Sequence, residues 1–200
     1  IDEQPPESLE NDNSCLYNIS GEIKYFNSNA SPIKDVKVMI YGMSEGLSYI
    51  VGVDSSDNEG VFLISGVPIL NTDLSDNYFL YDSFYLVYDY SENNTLGLSL
   101  SDAELIHRYI VGIDDFPYQN YSPIASDVNL DGKINSFDSS LIERYLNNTI
   151  FNMNQNNISF RFEANIDGIL KEEISKFSES NSILVRGIKL GDPDGQNWNR

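Results

Sequence analysis

Two stretches of this chain are copies of one another. Ser101–Ile110 and Phe137–Leu146 align at an offset of 36 (138 − 102), with Asp102/Asp138, Leu105/Leu141, Ile106/Ile142, Arg108/Arg144 and Tyr109/Tyr145 as identical pairs. Self-similarity at a fixed period marks one supersecondary unit used twice. In each copy the apolar residues fall at i, i+1, i+4 and i+5, the stripe of an amphipathic helix. The middle of the chain is therefore expected to hold a helical pair.

On either side of the pair the period is two. Ile19, Ile23 and Tyr25, then Val36, Val38 and Ile40, then Tyr49–Val53, then Val61 and Leu63 read as short strands. Turn-rich separators stand at 27–32, 42–46 and 54–60. Such spacing predicts a β-sandwich. Further strands are expected at Tyr78–Asp89, Ile158–Ala164 and Ile183–Leu190. The fold class is mainly β with an α insertion, in four parts. An extended arm covers 1–16, rich in acids and carrying Pro5 and Pro6; a β-sandwich covers 17–90; a helical segment covers 91–150; and C-terminal strands over 151–200 complete a sandwich.

A motif with a mechanical reason precedes the second helix. Asp127, Asn129, Asp131, Asn135 and Asp138 occupy positions 1, 3, 5, 9 and 12 of a twelve-residue loop, with Gly132 at position 6. Alternate residues of such an EF-hand-type loop turn inward on Ca²⁺, the glycine takes the sharp bend, and position 12 closes the cage from the helix. The predicted ligands are Asp127, Asn129, Asp131, the Lys133 carbonyl and Asp138, with Asn135 acting through a water. The first copy has decayed. Counted back from Asp102, its ligand positions are Ser91, Asn93, Thr95 and Ser99, with Leu96 where glycine is needed, and an insertion would put Asp89 first. Near the C-terminus, Asp192-Pro-Asp194-Gly reads as a surface turn before a cation site.

Charge narrows the partners. With 31 Asp and Glu against 12 Lys and Arg, the formal charge is −19, which repels phosphate backbones and anionic lipid surfaces. Cations or other proteins are the expected partners. The longest apolar run, Phe84–Tyr88, is far short of the roughly 20 residues that span a bilayer. Residue 1 is not Met and no apolar leader follows it, so it reads as a processed terminus. Cys15 is the one cysteine, which excludes an internal disulfide and a thiolate metal cluster. Six Asn-x-Ser/Thr acceptors, at Asn18, Asn29, Asn93, Asn120, Asn147 and Asn157, suit surface glycosylation of a secreted, extracellular protein.

Residues 91–148, and most clearly Ser126–Leu146, resemble a type I dockerin: a calcium loop and helix in two copies, with the Arg-Tyr pair on each helix. The resemblance implies Ca²⁺ as the bound ion and a cohesin as partner, contacted through Ser136, Phe137 and a helix face that includes Arg144. Leu100 and Ser101 stand at the matching positions of the first copy. Ile19–Tyr25, Ser31–Ile40 and Asp57–Pro68 resemble the carboxypeptidase regulatory-like and collagen-adhesin B-type sandwiches of bacterial surface proteins, which implies an Ig- or transthyretin-like β-sandwich. The tail Gly187–Trp198 is similar to the closing strand that follows dockerin-like segments.

No nucleophile elbow, phosphate loop or His–Glu metal signature is present, and His107 reads as a surface helix residue, so no enzyme activity is expected. The sequence leaves three roles. One is a calcium-stabilised surface subunit that passes its N-terminal arm to a second copy as an added strand, building a homo-oligomeric fibre. Another is a cohesin-binding module of a larger surface-anchored or cellulosome-like protein. The last is a carbohydrate-binding sandwich that uses the aromatic strand Tyr78–Tyr88, although alternate aromatics in a strand first serve the core.

Overall fold

The computed structural model describes residues 14–71, 78–79, 81, 83–90, 95–166, 169–170, 173–174 and 182–196. Strands β1 (Ser14–Tyr25), β2 (Lys37–Ser44), β3 (Leu47–Ser55), β4 (Val61–Asn71), β5 (Tyr78–Phe79) and β6 (Ser83–Asp89) come first. Helices α1 (Leu100–Ile110), α2 (Ser122–Ser126) and α3 (Ser136–Leu146) follow, and then β7 (Phe160–Ile166), β8 (Ile169–Leu170), β9 (Glu173–Ile174) and β10 (Ser182–Lys189). The strands form a six-stranded sheet, β5-β4-β1-β10-β7-β8, and a four-stranded sheet, β3-β2-β6-β9. The fold is mainly β with an α insertion, as the two periods in the sequence require. No helix among the described residues is long and apolar enough to cross a membrane.

The chain divides into two compact units, and the division falls within β1, β7 and β10. The first unit is Ile1–Ile23, Pro32–Tyr90 and Glu163–Val185; the second is Lys24–Ser31, Ser91–Phe162 and Arg186–Arg200.

In the first unit β1 pairs antiparallel with β4, and β2 pairs antiparallel with both β3 and β6. Inward residues at period two build its core: Ile23, Val38, Ile40, Phe62, Ile64, Val67 and Phe84 are buried. The two sheets meet where β3 crosses β4. A Cβ at Gly52 would lie 2.3 Å from Ile64 Cγ2, so only glycine permits that approach.

Two readings change here. Ser14–Leu16, assigned to the arm, are the start of β1 and pair with Asn71, Leu70 and Pro68 of β4, because the antiparallel ladder between these strands continues past Tyr17. Residues 1–13 of that arm lie outside the described residues. The single strand expected at Tyr78–Asp89 is two, because β5 pairs with β4 in one sheet and β6 with β2 in the other. Two aromatics of this stretch pack inward, as a strand's alternate aromatics are expected to: Tyr81 and Phe84 are buried, with ring centroids 5.5 Å apart, and Tyr49 lies 6.4 Å from Tyr81. That removes these two from any sugar-stacking platform.

In the second unit α1 and α3 bury their repeated stripes together. Ala103 and Ile106 of α1 and Leu141 and Ile142 of α3 share one core with Phe116, Val128, Met153 and Leu190. Tyr25 and Phe26, at the end of β1, belong to the same unit. Phe26 packs edge-on against Tyr118 at 5.4 Å, and Tyr118 Oη accepts the Ser28 amide at 3.0 Å.

Candidate metal centre

The twelve-residue loop is built by its own side chains. Asp127 Oδ1 accepts the Asp131 amide at 3.0 Å and Asp127 Oδ2 accepts the Gly132 amide at 2.9 Å. Asn129 Oδ1 also accepts the Asp131 amide, and Asp131 Oδ1 accepts the amide of Lys133 at 2.9 Å. These carboxylates fold the backbone around themselves, as short polar side chains do in turns. Gly132 stands at φ +79°, the left-handed region that its place in the loop demands.

Asn135 and Asp138 then start α3. Asn135 caps the helix, its Oδ1 accepting from the Phe137 amide at 2.9 Å, and Asp138 Oδ2 returns the favour to the Asn135 amide at 3.0 Å. This is a reciprocal capping box. Asp138 is fully buried, and its second oxygen takes the Val128 amide at 3.1 Å and the Asn129 amide at 3.5 Å. Burial raises its pKa, the amides that it accepts lower it, and the charge of Asp127 adds to the rise.

The donor set fits a hard cation: three carboxylates, an amide oxygen and a backbone carbonyl, with neither sulfur nor imidazole among them. Five predicted ligands and Asn135 thus lie on one loop. Their carboxylates point to the loop backbone, and the three Asp side chains are not the ones that crowd closest. Among the described residues, the acidic group whose ligand atoms all lie within 4.8 Å of one another is elsewhere: Asp102, Asp192 and Asp194. The turn at Asp192 is thus no surface turn. Asp192 is fully buried, Pro193 is buried, and Ser122 Oγ donates to the Pro193 carbonyl at 2.5 Å, which holds the turn against α2.

The remaining predicted residues are placed as follows. Ser136, Phe137 and Arg144 are exposed on α3, and Leu100 and Ser101 are exposed on α1. Asn18, Asn29, Asn120, Asn147 and Asn157 are exposed, and Asn93 lies outside the described residues. Of the first loop, Thr95 is exposed and Ser99 caps α1 with Asp102, repeating the box of α3. His107 is exposed, but its Nε2 lies 2.9 Å from Ser139 Oγ and so links the two helices. Ser139 Oγ also donates to the Ser136 carbonyl, which uses the hydroxyl in the first turn of α3.

The model of the dockerin type I domain family matches residues 98–147. That segment is a quarter of the chain, and it makes α1 and α3 the two helices of a dockerin. The match begins at Leu98 and so omits most of the first loop. No curated protein matches the chain. A solved structure, that of a 9R-lipoxygenase from Cyanothece, is similar at 17% identity over 38% of this chain and 14% of that one, with a TM-score of 0.24. The chain therefore spans a small part of that protein, and a likeness at that score carries no argument.

Proposed function

We propose that residues 98–147 are a calcium-dependent docking module that binds a cohesin-type partner, and that the chain is a non-catalytic, extracellular component held in place by that contact. The observation that carries this reading is a pair of exposed apolar side chains at equivalent ends of the two helix copies. Leu100 is 61% exposed at the start of α1 and Phe137 is 51% exposed at the start of α3. Burying such residues inside a fold is the rule, and large apolar side chains left out in the first turn of both helices, at neighbouring positions of the repeat, suit a partner surface. Calcium in the Asp127–Asp138 loop would fix the start of α3, so it would set where Phe137 is presented and take no part in any reaction.

A fibre built by strand addition has no observation in its favour. Its donor arm is residues 1–16, of which Ser14–Leu16 are already used in β1 and 1–13 lie outside the described residues.

Calorimetric titration of the whole chain with purified type I cohesins tests the proposal. Binding is expected in calcium and lost in EDTA. Phe137→Ala should weaken it at least tenfold, or about 1.4 kcal/mol. Silence across a panel of such cohesins in calcium overturns it.

A further inference from the structure

The second unit holds a carboxylate cluster that the calcium loop does not explain. Asp102 comes from the first turn of α1, and Asp192 and Asp194 from the turn after β10; one ligand atom of each lies within 4.8 Å of the others. The side chains of Asp102 and Asp192 are both 0% exposed. Each has one oxygen held and one bare. Asp102 Oδ2 accepts the Ser99 amide at 2.7 Å and the Ser99 hydroxyl at 2.8 Å, and Asp192 Oδ2 accepts the Tyr25 hydroxyl at 2.5 Å. Asp102 Oδ1 and Asp192 Oδ1 have no hydrogen-bond partner among the described residues.

Buried carboxylate oxygens left bare beside other carboxylates are costly, and native folds keep few of them. The price is visible in their acidity. Burial raises Asp192 to a pKa of about 9 and Asp102 to about 7, with Asp194 adding to both. The nearby ammonium of Lys189 does not cancel the cluster. Its Nζ lies 5.0 Å above the Phe160 ring, and of the three carboxylates it is Asp192 whose charge acts on it. Such an arrangement suits a bound cation.

The duplication says why it lies here. In the second copy, Asp138 is buried with both oxygens satisfied by its own loop. Asp102 is its equivalent, but Ser91, Asn93, Thr95 and Ser99 bring no carboxylate to the first loop, and Leu96 stands in the glycine place. We propose that Asp102, Asp192 and Asp194 hold a second divalent cation, Ca²⁺ by preference, with the turn after β10 supplying the carboxylates that the first copy's own loop has lost. Carboxylate oxygens alone suit calcium rather than a transition metal. Asp194 is half-buried and lines an open depression of about 510 Å³ with Ser101, Glu104 and Asp114, which gives the ion a way in from solvent.

The test is a calcium count on the whole chain, by equilibrium dialysis with elemental analysis. Two ions per chain are expected. The double variant Asp192→Asn with Asp194→Asn should keep one, and Asp127→Asn with Asp131→Asn should keep the other. Melting curves guard against misfolding. Asp192→Asn, which can still accept from Tyr25, should melt close to the parent in EDTA and should gain less from calcium than the parent does. Loss of every ion in the Asp127/Asp131 variant overturns the proposal. So does retention of both ions in the Asp192/Asp194 variant, or an Asp192→Asn shift in melting that is equal with and without calcium, since a buried protonated cluster would behave that way.

Discussion

A methyl group added at Gly132 would meet no atom within 4 Å, so its whole cost is conformational. At φ +79° that cost is about 1–2 kcal/mol for an L-residue. Gly191 is the instructive contrast. It sits at φ +92°, and an added Cβ would lie 3.1 Å from Leu98 and 3.4 Å from Ile142, inside the helical core. Urea unfolding in EDTA should therefore show Gly132→Ala less stable than the parent by about 1–2 kcal/mol, and Gly191→Ala less stable still. Equal losses at the two sites would mean that the contacts at Gly191 relax freely. The sequence shows the role of Gly132 because the calcium-loop spacing names it. It shows nothing of Gly191, whose neighbours come from residues 98, 142 and 153.

At the scale of elements, the duplicated helices were legible almost to the residue. The repeat predicts Ser101–Ile110 and Phe137–Leu146, and the helices run Leu100–Ile110 and Ser136–Leu146. The signal is local, an apolar stripe at helical period, and the structure adds a capping box at the start of each helix. Ile106 and Ile142 are the paired centres of that stripe, and each is fully buried. Ile142→Ala should cost about 2–5 kcal/mol, the range for truncating a buried aliphatic side chain. The variant Ile106→Ala should cost a similar amount if the copies are energetically equivalent. Chemical denaturation decides it, and a loss below about 1 kcal/mol at either site would show that the pair does not carry the core of this unit. Strands were read less well. Tyr78–Asp89 looks like one strand because its apolar pattern is continuous, but its two ends pair in different sheets, and pairing partners are not written locally.

For the whole molecule the dominant fact is a charge of −19 on 200 residues. Like charges at this density destabilise the compact state by self-repulsion, and salt screens them: the Debye length falls from about 30 Å at 0.01 M to about 3 Å at 1 M. In EDTA the chain should therefore melt at a higher temperature in 1 M NaCl than in 0.01 M. With calcium present the gap should narrow, since bound ions have already neutralised part of the charge. A melting temperature that is unchanged or lower in high salt would show that other terms outweigh repulsion.

The sequence by itself determined the elements that local chemistry specifies: the helix copies, the calcium-loop spacing, and strands of period two with their turns. Each depends on residues within a dozen positions of one another, where spacing alone sets which side chains share a face. Tertiary structure alone decided which strands share a sheet, that the turn at Asp192 is buried, and that Asp102 meets Asp192 and Asp194 across a separation of 90 positions (192 − 102). With 31 acids in the chain, no composition or motif selects those three. What selects them is the packing that shuts two of them away from water and leaves an oxygen on each without a partner.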